Sequence, residues 1–154
     1  MGRRKRPLPS YEKIQITDAA AEGKCIARIE DKVIFVPFAA PGDIVDIHVV
    51  KKRKSYLEGR ITKFHTYSDQ RIDPKCSHFG LCGGCKWQHL SYENQLSNKQ
   101  KQVADNFERI GKVQVDDLMP IIGSENEYYY RNKLEYTFSD RRWLTNLDVP
   151  KEEG

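Results

Sequence analysis

Between positions 13 and 65, apolar and polar residues alternate in short runs separated by turn formers, and few folds accommodate that pattern. Residues 13–17 alternate around Ile14 and Ile16, and residues 25–29 form a second run. Glu30, Asp31 and Lys32 make a tight connection into residues 33–36, which reads as a hairpin. Pro37 ends that run because it has no N–H to give a ladder. Pro41, Gly42 and Asp43 spell a turn. In residues 43–51, Ile44, Val45, Ile47, Val49 and Val50 surround Asp46 and His48. Residues 56–65 return with Leu57, Ile61 and Phe64. Five short strands in about fifty-five residues predict a small closed barrel, since closure removes exposed strand edges. Cys25 reads as a small apolar residue of a barrel strand, and His48 and His65 as surface residues.

Charge is distributed unevenly over the 154 residues. Residues 1–65 hold fourteen Lys or Arg against eight Asp or Glu, a balance of +6. The remainder holds twelve against fourteen, a balance of −2. Positive charge gathered on a barrel of the oligonucleotide-binding type points to a polyanion partner, a nucleic acid. The sharpest cluster is Lys51, Lys52, Arg53 and Lys54, placed in a hairpin loop with Tyr56 just beyond. Clustered cations meet phosphates, and an aromatic face can stack on an unpaired base. Arg131 and Lys133, beside the aromatic run Tyr128, Tyr129 and Tyr130, are a second candidate RNA contact. Residues 1–10, with four basic residues, Pro7 and Pro9, read as a flexible arm. No apolar run follows that arm, and none in the chain nears the ~20 residues of a membrane helix, which predicts a cytoplasmic protein with no membrane contact.

The chemistry lies in residues 76–89. Cys76, Cys82 and Cys85 are spaced C-x5-C-x2-C, with Gly83 and Gly84 between the last two. Three thiolates converging from one short loop suit an iron–sulfur cluster or a zinc ion. Both usually take four ligands, and no cysteine follows Cys85. The fourth position is open to Cys25, His78 or His89, or to a residue outside the chain. Beyond the loop, Ser91 caps a predicted helix running to about Ile110, with Tyr92, Leu96, Val103, Phe107 and Ile110 as a packing stripe and Gly111 as its stop. Residues 113–122 read as a short strand broken by Pro120, and residues 128–138 as a further strand.

The cysteine spacing followed by Trp87, Gln88 and His89 resembles the iron–sulfur motif of the RumA/RlmD-like RNA uracil-5-methyltransferases. Residues 129–138 resemble the opening of that family's central domain, and the segment before Cys76 its N-terminal TRAM barrel. The resemblance implies a mainly β fold with some α: a five-stranded barrel over residues 11–66, then a cysteine loop, one helix and a partial central α+β domain over residues 67–154. It implies a 4Fe-4S cluster on Cys76, Cys82 and Cys85 whose fourth cysteine lies elsewhere, so that the cluster is labile, lost or replaced by zinc. It implies methyl transfer from S-adenosylmethionine to C5 of uridine, with 23S ribosomal RNA as the substrate of a monomeric enzyme. In that family the nucleophile, the base and the cofactor site lie in a C-terminal Rossmann-like domain. This chain has no G-x-G-x-x-G loop and no candidate nucleophile after Cys85, so it is expected to be an inactive N-terminal fragment with no catalytic residue of its own. Two other readings compete. One is a stand-alone RNA-binding module with a zinc or iron–sulfur knuckle. The other is a radical enzyme, which needs a first cysteine gap of three where this chain has five.

Overall fold

The computed structural model describes residues 7–81, 83–130, 133 and 138–141. The chain divides into two compact units, residues 1–123 and 124–154. The first holds one six-stranded sheet: β1 (Ser10–Gln15), β2 (Asp18–Ala19), β3 (Lys24–Ile29), β4 (Lys32–Pro37), β5 (Ile44–Lys52) and β6 (Tyr56–Thr66). Its spatial order is β1-β5-β6-β4-β3-β2, with β4 and β6 parallel and every other pair antiparallel.

Six strands replace the five expected, because the first run is broken in two. The N–H of Ile16 donates to Asp43 O (2.8 Å) and that of Thr17 to Ile26 O (2.9 Å). The break thus lets one length of chain pair with β5 on one side and with β3 on the other. Both edges of the sheet belong to residues 10–19, so the sheet curls on itself. Lys13, at φ +52, sits in an irregularity of the β1–β5 register. Its N–H donates to Asp46 Oδ1 (2.8 Å), which also bonds His65 Nε2 (2.6 Å).

The alternation read from the sequence fills the interior. Val45, Ile47 and Val49 of β5 are fully buried and meet Ile34, Val36, Ala27, Cys25 and Ile16. Cys25 is a core residue, its thiol donating to Ala39 O at 3.0 Å. Burial pushes that thiol up to about 12, so it stays protonated and apolar. Gly59 on β6 is required by packing. A Cβ there would lie 2.4 Å from Ile47 Cγ2 and 2.8 Å from Ile34 Cδ1.

Helix α1 (Tyr92–Asp105) opens on Ser91, whose hydroxyl accepts from Asn94 N, and runs into one π turn (Asn106–Gly111). The left-handed residue that ends it is Lys112, at φ +54, and not Gly111. Tyr92 and Leu96 are half-buried, but Val103, Phe107 and Ile110 of the expected packing stripe are exposed. Residues 112–123 have no regular secondary structure, so the expected strand there does not form. In the second unit Tyr128, Tyr129 and Tyr130 lie in an irregular segment, with Tyr129 at φ +60. The rest of the strand expected over 128–138 falls mainly outside the described residues.

Candidate nucleic-acid interface and cysteine loop

The β5–β6 turn carries the basic cluster. Lys51 and Lys52 end β5, Arg53 and Lys54 form the turn, and Arg53 N donates to Tyr56 O (2.9 Å) to close it. All four cations are exposed. Lys51 meets Glu58 at 3.6 Å, a surface pair worth little in water. Tyr56 is half-buried and packs edge-on against Phe35, with centroids 5.5 Å apart. Its ring is therefore partly engaged by the barrel. Lys133 belongs to the second unit, and Arg131 lies outside the described residues.

At the other end of β6 the chain is latched to the barrel. Asp43 is fully buried, and its carboxylate accepts four N–H groups. Arg71 Nε gives 2.8 Å to Oδ1 and Nη2 gives 2.6 Å to Oδ2; Ser68 N gives 2.9 Å and Ala40 N 2.7 Å. Burial pushes the Asp43 carboxyl up, but the Arg71 guanidinium and the two backbone donors outweigh it and hold the group below the usual carboxylate range. Arg71 also reaches Phe38 O at 2.9 Å. Its guanidinium carbon lies 4.9 Å from the Phe64 ring centroid and 5.6 Å from that of Tyr67.

The cysteine loop is docked on the same rim. Ile72 N donates to His89 O (3.0 Å), and Arg71 bridges to Leu90. His89 is buried and donates through Nε2 to Ala39 O at 2.9 Å, the carbonyl that also accepts from Cys25. Phe79 packs between Phe38 (5.7 Å) and His89 (5.3 Å). Gly23, at φ +71, lies directly beneath the loop; a Cβ there would stand 2.3 Å from Lys86 Cβ. Gln95 of α1 donates to Trp87 O (3.1 Å) and Leu90 O (3.0 Å), so the helix braces the loop from its far side.

Within the loop, one side chain links two cysteines. Gln88 Oε1 accepts from Cys76 N (3.1 Å), and its Nε2 donates to Cys85 Sγ (3.1 Å). Cys76 is half-buried and Cys85 exposed; both are free thiols. Cys82 lies outside the described residues. Among the described residues, no group of three His, Cys, Asp or Glu side chains is arranged to hold a metal ion. Of the candidates for a fourth ligand, Cys25 is sealed in the core, while His89 gives its Nε2 hydrogen to Ala39 O and has no hydrogen-bond partner at Nδ1. His78 is exposed.

Residues 10–62 match the TRAM domain family. Over 141 residues the chain is 52% identical to an uncharacterized RNA methyltransferase of Porphyromonas gingivalis, covering 92% of this chain and 30% of that protein. A Bacteroides thetaiotaomicron protein of the same description is 53% identical over 133 residues, 86% of this chain and 29% of its own length. A third, from Chlorobaculum tepidum, is 37% identical over 142 residues, 91% of this chain and 29% of that one. Residues 10–62 are thus a TRAM domain, and the chain as a whole is similar to part of these RNA methyltransferases. It spans about 30% of the length of the curated relatives it matches. A solved tRNA (uracil-54, C5)-methyltransferase of Pyrococcus abyssi is 28% identical over 68% of this chain and 22% of that one. Its TM-score to this chain is 0.37.

Several residues that organise the TRAM domain and its connector escape a reading of the sequence. Asp43 sits in a Pro-Gly-Asp turn and looks like a turn former, while its ion-pair partner is 28 residues away. Arg71 and Tyr67 stand in a polar connector with no local pattern. The signal that could have found them is composition: an arginine and a tyrosine close together beside a barrel that already carries positive charge.

Proposed function

We propose that this chain is the RNA-gripping and metal-binding part of an RNA uracil-5-methyltransferase that uses S-adenosylmethionine. The observation that carries this reading is the docking of the cysteine loop onto a TRAM barrel with a basic turn, in a chain 52% identical to a protein described as an RNA methyltransferase. Lys51, Lys52, Arg53, Lys54 and Tyr56 are its proposed RNA contacts, with Arg131 and Lys133 as further ones; 23S ribosomal RNA is the proposed substrate.

Cys76, Cys82 and Cys85 would hold the metal group, a 4Fe-4S cluster or a zinc ion. The donor chemistry fits. Cys76 and Cys85 carry free thiols, the Gln88 amide links the Cys76 backbone to the Cys85 sulfur, and its N–H already donates to a sulfur that would carry negative charge when ligated. Bound there, the group would supply a cross-link that fixes the loop's shape. The loop then acts as a rigid brace beside the barrel.

The test is an RNA-binding and methyl-transfer assay on the 154-residue chain, with uridine-containing ribosomal RNA hairpins. The chain binds RNA with an affinity that falls steeply with salt, and transfers no methyl group. Absence of binding at low salt, or methyl transfer by this chain alone, overturns the proposal.

A further inference from the structure

Tyr67 comes directly after the last residue of β6 and is 66% exposed. Its ring is nevertheless held in place. It stacks on Phe64 with centroids 4.7 Å apart and planes 20° from parallel. Phe64 in turn packs against the barrel core. The Arg71 guanidinium stands 4.9 Å from one ring centroid and 5.6 Å from the other. A cation across Tyr67 from Phe64 would stand nearer Tyr67 than Phe64, and the reverse holds, so Arg71 does not cover the far face of Tyr67. One face of Tyr67 is therefore packed and the other open to solvent. Arg71 is itself locked by the buried Asp43 carboxylate, and Ser68, the next residue after Tyr67, is tied to the same carboxylate.

An aromatic shelf with one free face, already ordered, has lost its rotamer freedom before any ligand arrives. Stacking on a planar ring is the contact it can offer. The strand leading to it carries exposed cations: β6 presents Arg60 and Lys63 between the Lys51, Lys52, Arg53 and Lys54 turn and Tyr67, while Glu58 is paired with Lys51 and Asp46, opposite Lys63, is bonded to His65. From Leu57 to Thr66 this track runs roughly 30 Å along the strand. Phosphates on the track and a base at its end are what a single-stranded polynucleotide would present.

We propose that the open face of Tyr67 is a stacking platform for an unpaired nucleobase of the bound RNA, at the end of the barrel opposite the basic turn. The proposal rests on the RNA-binding reading above and adds a site to it. Phe64 backs the platform, and Arg71 fixes its position.

The experiment titrates the 154-residue chain against single-stranded RNA bearing 2-aminopurine, following both affinity and fluorescence. The parent chain binds and quenches the probe. Tyr67→Phe binds within about twofold of it, because the π-face is kept. Tyr67→Ala weakens binding roughly five- to hundredfold and loses the quench, with the salt slope unchanged. Tyr67→Leu keeps an apolar contact on Phe64, and so controls for folding, yet loses the quench as well. The triple variant Lys52→Ala, Arg53→Ala, Lys54→Ala does the reverse, flattening the salt slope and keeping the quench. If Tyr67→Ala and Tyr67→Leu bind and quench like the parent, the platform is wrong while RNA binding stands. If the parent chain binds no RNA at low salt, both readings fall.

Discussion

Asp43 and Arg71 form a two-pronged ion pair across 28 residues of sequence, with the carboxylate fully buried and the guanidinium side chain only 17% exposed. The pair joins the loop after β4 to the connector after β6. Through Arg71 and Leu90 it also reaches the far end of the cysteine loop.

Removing one partner therefore strands a charge. Arg71→Ala leaves the Asp43 carboxylate buried with backbone donors only, and is expected to cost about 3–5 kcal/mol. Arg71→Lys recovers part of this, since an ammonium cannot fill both prongs. The double change Asp43→Asn with Arg71→Ala should be milder than Arg71→Ala alone. Urea unfolding of the three variants measures the order; equal losses in the single and double variants would contradict the stranded-charge account.

His89 sets an acid limit on stability. Burial, chiefly, holds its imidazole below the usual histidine range, and its Nδ1 has no hydrogen-bond partner to receive a second proton's bond. The folded state thus binds this proton less readily than the unfolded chain. The stabilisation is fully present above pH ~6.5 and falls as pH drops from there. Asp43, also held low, adds a second loss that begins only below pH ~4. Melting temperatures between pH 8 and 5 should decline in the parent and stay flatter in His89→Gln; parallel curves would reject the assignment.

Gly59 tests how full the barrel is. Gly59→Ala forces a methyl toward Ile47 and Ile34 and is expected to cost about 1–3 kcal/mol. Denaturant unfolding reads it directly. A change within about 0.5 kcal/mol, the range of an ordinary surface substitution, would mean the interior yields freely.

Metal removal should disturb the cysteine loop and leave the barrel folded. The barrel core is built from apolar side chains and a protonated Cys25, with no proposed ligand among them. Cys76→Ser or Cys85→Ser should abolish uptake of iron or zinc while the cooperative unfolding of the barrel persists. Gln88→Leu should keep uptake but weaken metal retention about 10–100-fold, because the N–H on the Cys85 sulfur is gone. Metal content after chelator challenge, alongside circular dichroism, checks all three.

The barrel is legible in the sequence because its cause is local. Val45, Ile47 and Val49 announce a buried face by their spacing alone, and hairpins of a few residues fix which strands meet. The division of the first strand is not legible, since it depends on Asp43 and Ile26 arriving to receive two N–H groups at Ile16 and Thr17. The same limit hides the end of the chain's helix. Gly111 looks like its stop, but the left-handed turn falls on Lys112 once a π turn has added residues. Val103, Phe107 and Ile110 recur at helical spacing, yet spacing names a face without naming what lies against it. The basic turn declares itself through its four adjacent cations. The paired Phe64 and Tyr67 do not, for their stacking is arranged by Arg71, which is arranged in turn by Asp43.

The carbonyl of Ala39 receives both the Cys25 thiol from within and the His89 imidazole from outside. A single backbone oxygen thereby has two tenants on opposite sides of the wall, and neither can shift without loosening the other's grip. A silent-looking change at position 25, far from any ligand, would be felt where the sulfurs gather.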